Sequence, residues 1–220
     1  MKILEAFNVE RSFGDPPPRI LKNISFDVEP GEFVAITGRS GSGKSTLFYV
    51  ISGLDDITSG HVLISGRDIH RMKRDDLHRF RNMQMGFVFQ FHYLLPELTS
   101  IENILMPARK SGFEKQKRSY ALELMSRFEI EHCAGKVPGK MSGGEQQRVS
   151  VARSLIMNPE IIFADEPTGN LDSVNGEKVM DIFEEINREN GTTVMLITHE
   201  EDYAKRASRI IHLVDGEIAS

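Results

Sequence analysis

Apolar and polar positions alternate along this chain in two distinct periods. Alternating or continuous apolar runs at 2–9, 20–28, 32–37, 60–65, 85–89, 160–164, 192–198 and 209–214 predict β-strands. Gly31, Gly60, Gly66 and the Asp215-Gly216 pair punctuate them as turns. Apolar positions near a 3.6-residue period predict helices at 44–53, 74–82, 100–110, 115–129, 143–157, 173–190 and 200–207. The region 91–158 carries almost no strand signal, which predicts a helical insertion between two strand-bearing halves. DPPP at 15–18 predicts a rigid surface loop, because proline lacks the donor a central strand needs. The pattern as a whole predicts an α/β core with a mostly antiparallel N-terminal part and a helical lobe.

One predicted helix begins oddly. In KMSGGEQQRVSVARSL (140–155), Val149, Ala152, Leu155 and the following Ile156 make an apolar face, and Ser142 with Glu145 fits a capping box. Between the two cap residues stand Gly143 and Gly144, although glycine costs about 1 kcal/mol against alanine inside a helix. Two readings are open: an ordinary cap after a flexible loop, or a helix N-terminus stripped bare so that its N–H groups can meet an anion.

Composition narrows the field. With 40% hydrophobic and 27% charged residues the 220-residue chain reads as a globular protein. No apolar run approaches the roughly 18–20 residues of a membrane helix, and MKILEAFNVERS lacks a signal-peptide core, so a membrane role is expected to need a partner. Cys133 is the sole cysteine, which excludes an internal disulfide or a multi-cysteine metal site and points to a reducing compartment. A formal net charge of −5 argues against broad electrostatic binding, and no nucleic-acid partner is expected.

Residues 38–46, GRSGSGKST, complete the G-x-x-x-x-G-K-[ST] pattern between the strand-like EFVAIT and the helical STLFYVIS. Such a loop curls so that consecutive N–H groups point at phosphate oxygens. Gly38, Arg39, Ser40, Gly41, Ser42, Gly43, Lys44, Ser45 and Thr46 are thus the candidate nucleotide cradle. Lys44 is placed for the terminal phosphates and the Ser45 hydroxyl for Mg²⁺. In EIIFADEPT (160–168) an apolar run stops at Asp165 and Glu166. Asp165 fits the carboxylate that holds Mg²⁺, and Glu166 a general base that polarises water; alone, the pair would read as a solvated loop. His199 ends the run TTVMLITH and Gln90 ends GFVFQ. Each is an ordinary loop residue unless a nucleotide lies beside it, where His199 could donate to a γ-phosphate and Gln90 approach the metal or water.

Together these motifs resemble the ATPase subunit of ABC transporters over essentially the whole chain. GRSGSGKST is similar to its Walker A, Gln90 to its Q-loop, MSGGE to its signature, IIFADE to its Walker B, GNLD (169–172) to its D-loop and His199 to its switch histidine. The resemblance implies a P-loop NTPase core over roughly 1–90 and 159–220, with an N-terminal antiparallel β subdomain and an inserted helical subdomain over roughly 91–158. It also implies ATP and Mg²⁺ as ligands, the metal held by Ser45, Gln90 and Asp165, with Glu166, His199, Gln90 and Lys44 as the catalytic set. Two copies would sandwich two ATP molecules, the signature residues Ser142, Gly143, Gly144 and Glu145 of one copy closing on the nucleotide of the other, with Asp172 in the D-loop.

A narrower resemblance lies in QFHYLLPELTSIENILMP (90–107), MSGGEQQRV and DEPTGNLD. It is to the branch of lipoprotein-releasing, macrolide-exporter and cell-division ATPases, and FHYLLPELT with Pro107 leans to the first. That implies an integral membrane permease subunit docking near Phe91, His92, Tyr93, Leu94 and Leu95, and a place at the cytoplasmic face of the inner membrane. Leu94 and Leu95 as core of the helical lobe is the competing reading. Three departures stand out: Phe13 where the adenine-stacking aromatic is commonly tyrosine, Met141 where leucine usually precedes SGG, and Glu145 in place of glutamine.

Overall fold

The strand-like N-terminal runs fold as expected into an antiparallel sheet, and the buried apolar runs into parallel strands. The computed structural model describes residues 1–14 and 18–219; apart from Pro18, the expected loop at 15–18 lies outside them. In chain order the elements are β1 (Leu4–Ser12), β2 (Arg19–Val28), β3 (Phe33–Thr37), α1 (Lys44–Ile51), β4 (Ser59–Ile64), β5 (Arg67–Asp68), α2 (Arg74–Gln84) and β6 (Met85–Phe89). There follow α3 (Ser100–Lys110), α4 (Glu114–Arg127), α5 (Gly143–Leu155), β7 (Ile161–Asp165), α6 (Ser173–Asn190), β8 (Thr193–Ile197), α7 (Glu201–Ala204), β9 (Arg209–Val214) and β10 (Glu217–Ile218). They divide into two compact units, Met1–Arg79 with Ile186–Ser220, and Phe80–Glu185.

In the first unit the antiparallel sheet runs β2-β1-β4-β5. Leu4 and Ala6 pair with Val28 and Phe26 on one side and with Ile64 and Val62 on the other. All of these but Phe26 are buried. Alternation along β1 is broken by a bulge at Asn8, whose φ of 47° is paid back locally: its N–H donates to Ser25 Oγ at 2.8 Å, and Ser25 Oγ donates to Asn8 Oδ1 at 3.1 Å. The second layer of this unit has β3 between the parallel strands β8 and β9, with β10 antiparallel on β9. FVAIT and TVMLI are apolar without alternation because a parallel strand flanked on both faces has no polar side to show.

The second unit holds the parallel pair β6 and β7, in register from Met85 opposite Ile161 to Phe89 opposite Asp165. Phe87 stacks on Phe163 across the pair, ring centres 5.8 Å apart. Helix α5 lies against β6 closely enough that a Cβ on Gly86 would meet the Ser154 carbonyl oxygen at 2.7 Å. All four residues of the expected α5 face, Val149, Ala152, Leu155 and Ile156, are buried. Helix α3 starts on a capping box, Thr99 N–H and Oγ1 both donating to Glu102 Oε2, at 2.8 and 2.7 Å.

The predicted helix at 200–207 is shorter than expected: α7 ends at Ala204, after which Arg206 and Ala207 donate to Tyr203 and Ala204 in tighter turns. The two-residue strands β5 and β10 had no sequence signal.

Gly60 faces the β1 bulge with φ 94°, and a Cβ there would stand 2.4 Å from the Asn8 carbonyl oxygen and 2.5 Å from that of Phe7. Gly60→Ala should therefore destabilise the protein by about 3 kcal/mol, a backbone clash added to a strained φ. Urea unfolding checks this; a midpoint within error of the parent would show that the bulge relaxes freely.

Candidate functional site

The first unit carries the candidate cradle. After β3 the chain turns through Gly38, Gly41 and Gly43, with φ of 153°, 80° and 100°. At Gly38 the requirement is also steric, since a Cβ would lie 2.3 Å from the Leu213 carbonyl oxygen. Gly41 has open space around it and needs glycine for its backbone alone. No side chain caps α1, which leaves its first-turn N–H groups to a ligand or to water. Lys44 is buried, and its Nζ donates to the carbonyls of Gly38 at 2.8 Å and Arg39 at 3.1 Å. Those carbonyls orient the ammonium without neutralising it. Ser42 Oγ is buried without a hydrogen-bond partner. Chemically, the loop is a cationic, donor-rich anion cradle.

Ser45 is exposed and Thr46 half-buried at the head of α1, and Ser40 is exposed on the loop. His199 follows β8, the parallel neighbour of β3, with Ile36 opposite Ile197. It therefore leaves the sheet at the edge where the cradle starts, and it is exposed. Phe13 lies under the Arg11 guanidinium, 4.3 Å from the ring centre, and Arg11 donates to both Asp55 carboxylate oxygens at 2.7 and 2.8 Å. With its position fixed this way, the ring is still 43% exposed.

The second unit holds the other candidates. Gln90 and Asp165 stand at the carboxyl end of the parallel pair β6 and β7, the end at which ligand chemistry collects in α/β folds. Glu166, next in line, has φ 46°, a left-handed conformation that a non-glycine residue adopts only when its surroundings impose it. Gln90 Nε2 donates to Asn170 Oδ1 at 3.3 Å, and Asn170 Nδ2 donates to the Gln90 carbonyl at 3.0 Å. Those bonds direct the amide nitrogen of Gln90 to Asn170 and leave its Oε1 as the group for a ligand.

The expected capping box at α5 is present. Ser142 Oγ accepts from Glu145 N at 3.2 Å, and Glu145 Oε2 accepts from Ser142 N at 2.6 Å. The other carboxylate oxygen accepts from His132 Nε2 at 2.7 Å and from the buried Cys133 thiol at 3.3 Å. The Ser142 N–H first, then His132, hold the Glu145 carboxyl down to about 2. Burial pushes the Cys133 thiol upward. Asp172 accepts from the N–H of Asn175 at 3.0 Å and from its Nδ2 at 2.7 Å, which lowers the Asp172 carboxyl.

Several residues missed in the sequence hold these loops. Buried Gln147 donates Nε2 to the Pro167 carbonyl at 2.6 Å and to that of Phe89 at 3.2 Å, tying α5 to the ends of both parallel strands. Arg153 donates to the carbonyls of His92 and Tyr93, both at 2.7 Å, and burial lowers its guanidinium to about 10. Buried Asn103 accepts from Leu95 N at 2.7 Å and donates to the Leu95 and Leu98 carbonyls, both at 3.1 Å. The only signal for Asn103 was a polar residue among Ile101, Ile104 and Leu105. The backbone of 91–95 is thus pinned while the side chains of Phe91, Tyr93 and Leu95 face outward and the His92 Nε2 is buried. Phe91 is 63% exposed, Tyr93 65% and Leu95 40%, with His92 and Leu94 half-buried. Leu94 and Leu95 are not core.

Comparison with known proteins gives the family. The ABC transporter family model matches residues 21–169. The chain belongs to the ABC transporter family. It is 51% identical to the lipoprotein-releasing system ATP-binding protein LolD of Leptospira interrogans, over 97% of this chain and 89% of that relative. The LolD protein of Aquifex aeolicus is 45% identical over 99% of this chain and 96% of its own length. Among solved structures, the dimeric bacterial ABC transporter cassette MJ0796 superposes with a TM-score of 0.90 at 40% identity, covering 99% of this chain and 97% of the cassette. A post-hydrolysis dimer of that cassette, bound to ADP and Pi, has a TM-score of 0.88 at 38% identity, with coverage of 99% and 97%. The relatives place the chain among the ATPases of the LolD-like branch.

Because the Glu145 carboxyl falls from its ordinary 4.5 to about 2 on folding, the cap contributes fully above pH 4.5 and is lost as pH falls toward 2. Glu145→Gln should remove that part of the acid sensitivity. Thermal melts from pH 6 to about 2 test it; parallel curves for parent and variant would contradict the assignment.

Proposed function

We propose that this chain hydrolyses ATP at a seam between two copies of itself and drives a separate membrane subunit that releases lipoproteins. The observation that carries the reading is the buried Lys44, whose Nζ donates to the carbonyls of Gly38 and Arg39 inside the glycine-rich loop and makes no ion pair among the described residues. A polyphosphate supplies the missing charge. The relatives named for lipoprotein release support the cargo, and the dimeric cassettes support the pairing. Among the described residues no helix is long and apolar enough to cross a membrane. In this reading the chain works at the cytoplasmic face of the inner membrane, held there by an integral membrane permease subunit.

In this reading the stretches 1–90 and 159–220 form the nucleotide-binding core and 91–158 its helical lobe. Residues Gly38 to Thr46 wrap the phosphates and Phe13 stacks on the adenine through its exposed face. Ser45, Asp165 and Gln90 offer a hydroxyl, a carboxylate and an amide oxygen, the hard oxygen set that suits Mg²⁺. That ion, when bound, spreads the charge that gathers on the transferred phosphoryl group. Glu166 accepts a proton from the attacking water, and His199 donates a hydrogen bond to the γ-phosphate. The twin's copies of Ser142, Gly143, Gly144 and Glu145 close over the same phosphate, and Asp172 orders the seam. The outward rings of Phe91 and Tyr93, with His92, Leu94 and Leu95, receive the membrane subunit.

Glu166→Gln should bind ATP, lose about 100-fold or more in turnover, and accumulate as an ATP-dependent dimer. Lys44→Ala should lose both nucleotide affinity and the dimer, and Ser142→Arg should keep ATP binding but not pair. Turnover assays with light scattering decide it. Native turnover in Glu166→Gln would remove the base, and full turnover at dilutions where only monomers exist would sink the two-copy site.

A further inference from the structure

The two glycines of the signature are bare for different reasons. A Cβ on Gly143 would meet only Leu171 Cδ2, at an ordinary 3.7 Å. On Gly144 it would stand 2.2 Å from Asn175 Oδ1, 2.5 Å from Cγ and 3.0 Å from Cβ. Asn175 cannot swing aside cheaply, because its amide is braced at both ends. Its Nδ2 donates to Asp172 Oδ2 at 2.7 Å, and its Oδ1 accepts from Arg148 Nη1 at 3.3 Å. Arg148 is itself buried, on α5 one turn beyond Gly144.

We infer that Asn175 is a positioning residue whose amide seats on the bare backbone of Gly144 and so fixes the N-terminus of α5 against Asp172. Glycine at 144 answers to the chain's own Asn175, and glycine at 143 to the approach of the twin's nucleotide. This rests on the two-copy reading above, in which α5 must present its amides to a phosphate while Asp172 orders the same seam. An added methyl at 144 pushes the braced amide back by roughly 1 Å, a misplacement that can cost on the order of 100-fold in turnover.

A double-mutant cycle on the full chain tests it, with turnover, KM for ATP and thermal melts measured for Gly144→Ala, Asn175→Gly and the pair. Asparagine is taken to glycine because the 3.0 Å contact to its Cβ would persist in alanine. We expect Gly144→Ala to lose about 100-fold in kcat with KM unchanged, since the nucleotide is held by the separate cradle. Asn175→Gly should lose less, and the double variant should turn over like Asn175→Gly alone. Gly143→Ala should melt like the parent, lose turnover, and gain nothing from Asn175→Gly. If the double variant falls below Asn175→Gly by the full Gly144→Ala factor, glycine at 144 serves the nucleotide and the inference is overturned. Should Gly144→Ala fail to fold, recovery of the melt in the double variant supports the inference, and no recovery overturns it. Failure of Glu166→Gln to pair in ATP would instead strike the two-copy reading, leaving the Gly144–Asn175 coupling to be read from the melts.

Discussion

Buried side chains that donate to loop carbonyls hold this protein's chemistry in place. Parallel strands keep their ladders only as far as their ends, and Gln90, Asp165, Glu166 and His199 stand at or just beyond those ends. Backbone there has no sheet partner, so another donor must satisfy and fix it. Gln147 does this for the ends of β6 and β7, Arg153 for the carbonyls of His92 and Tyr93, and Asn103 for those of Leu95 and Leu98. In the first unit Lys44 does the same for Gly38 and Arg39.

Helix α5 concentrates these tasks. Its N-terminus carries the capping box, and its next turns carry Gln147, Arg148 and Arg153. A side chain that donates to two carbonyls from a buried helix loses little freedom when its target moves with it, so the Gln90 and Glu166 loops are coupled through one rigid element. The outward rings of Phe91 and Tyr93 sit on backbone that the same helix grips. A partner pressing on those rings would therefore push on the helix that presents Ser142 and Gly143.

Electrostatics follow the same economy. The Glu145 carboxylate is kept ionised by the N–H groups and side chains it caps. Arg153 tolerates burial because two carbonyls take its donors. Lys44 is held the same way, its Nζ donating to the carbonyls of Gly38 and Arg39.

The amino-acid order alone determined the long strands and helices, because alternating or continuous apolar runs and the 3.6-residue period are local properties. It also determined the candidate cradle loop at 38–46 as a glycine-rich turn and the cap on α5, whose residue types act on backbone within a few positions. The bulge at Asn8, the two-residue strands β5 and β10, and the early end of α7 were decided by tertiary pairing, since so short a segment has no period to read. Only the folded chain separated Gly143 from Gly144, because the reason for the second lies thirty-one residues away at Asn175. Likewise an outward and a core Leu95 were both open from the residues alone, and the fold leaves it exposed on backbone that Asn103 holds. Contacts between distant positions leave no pattern in either period, and it is those contacts that aim the chemistry.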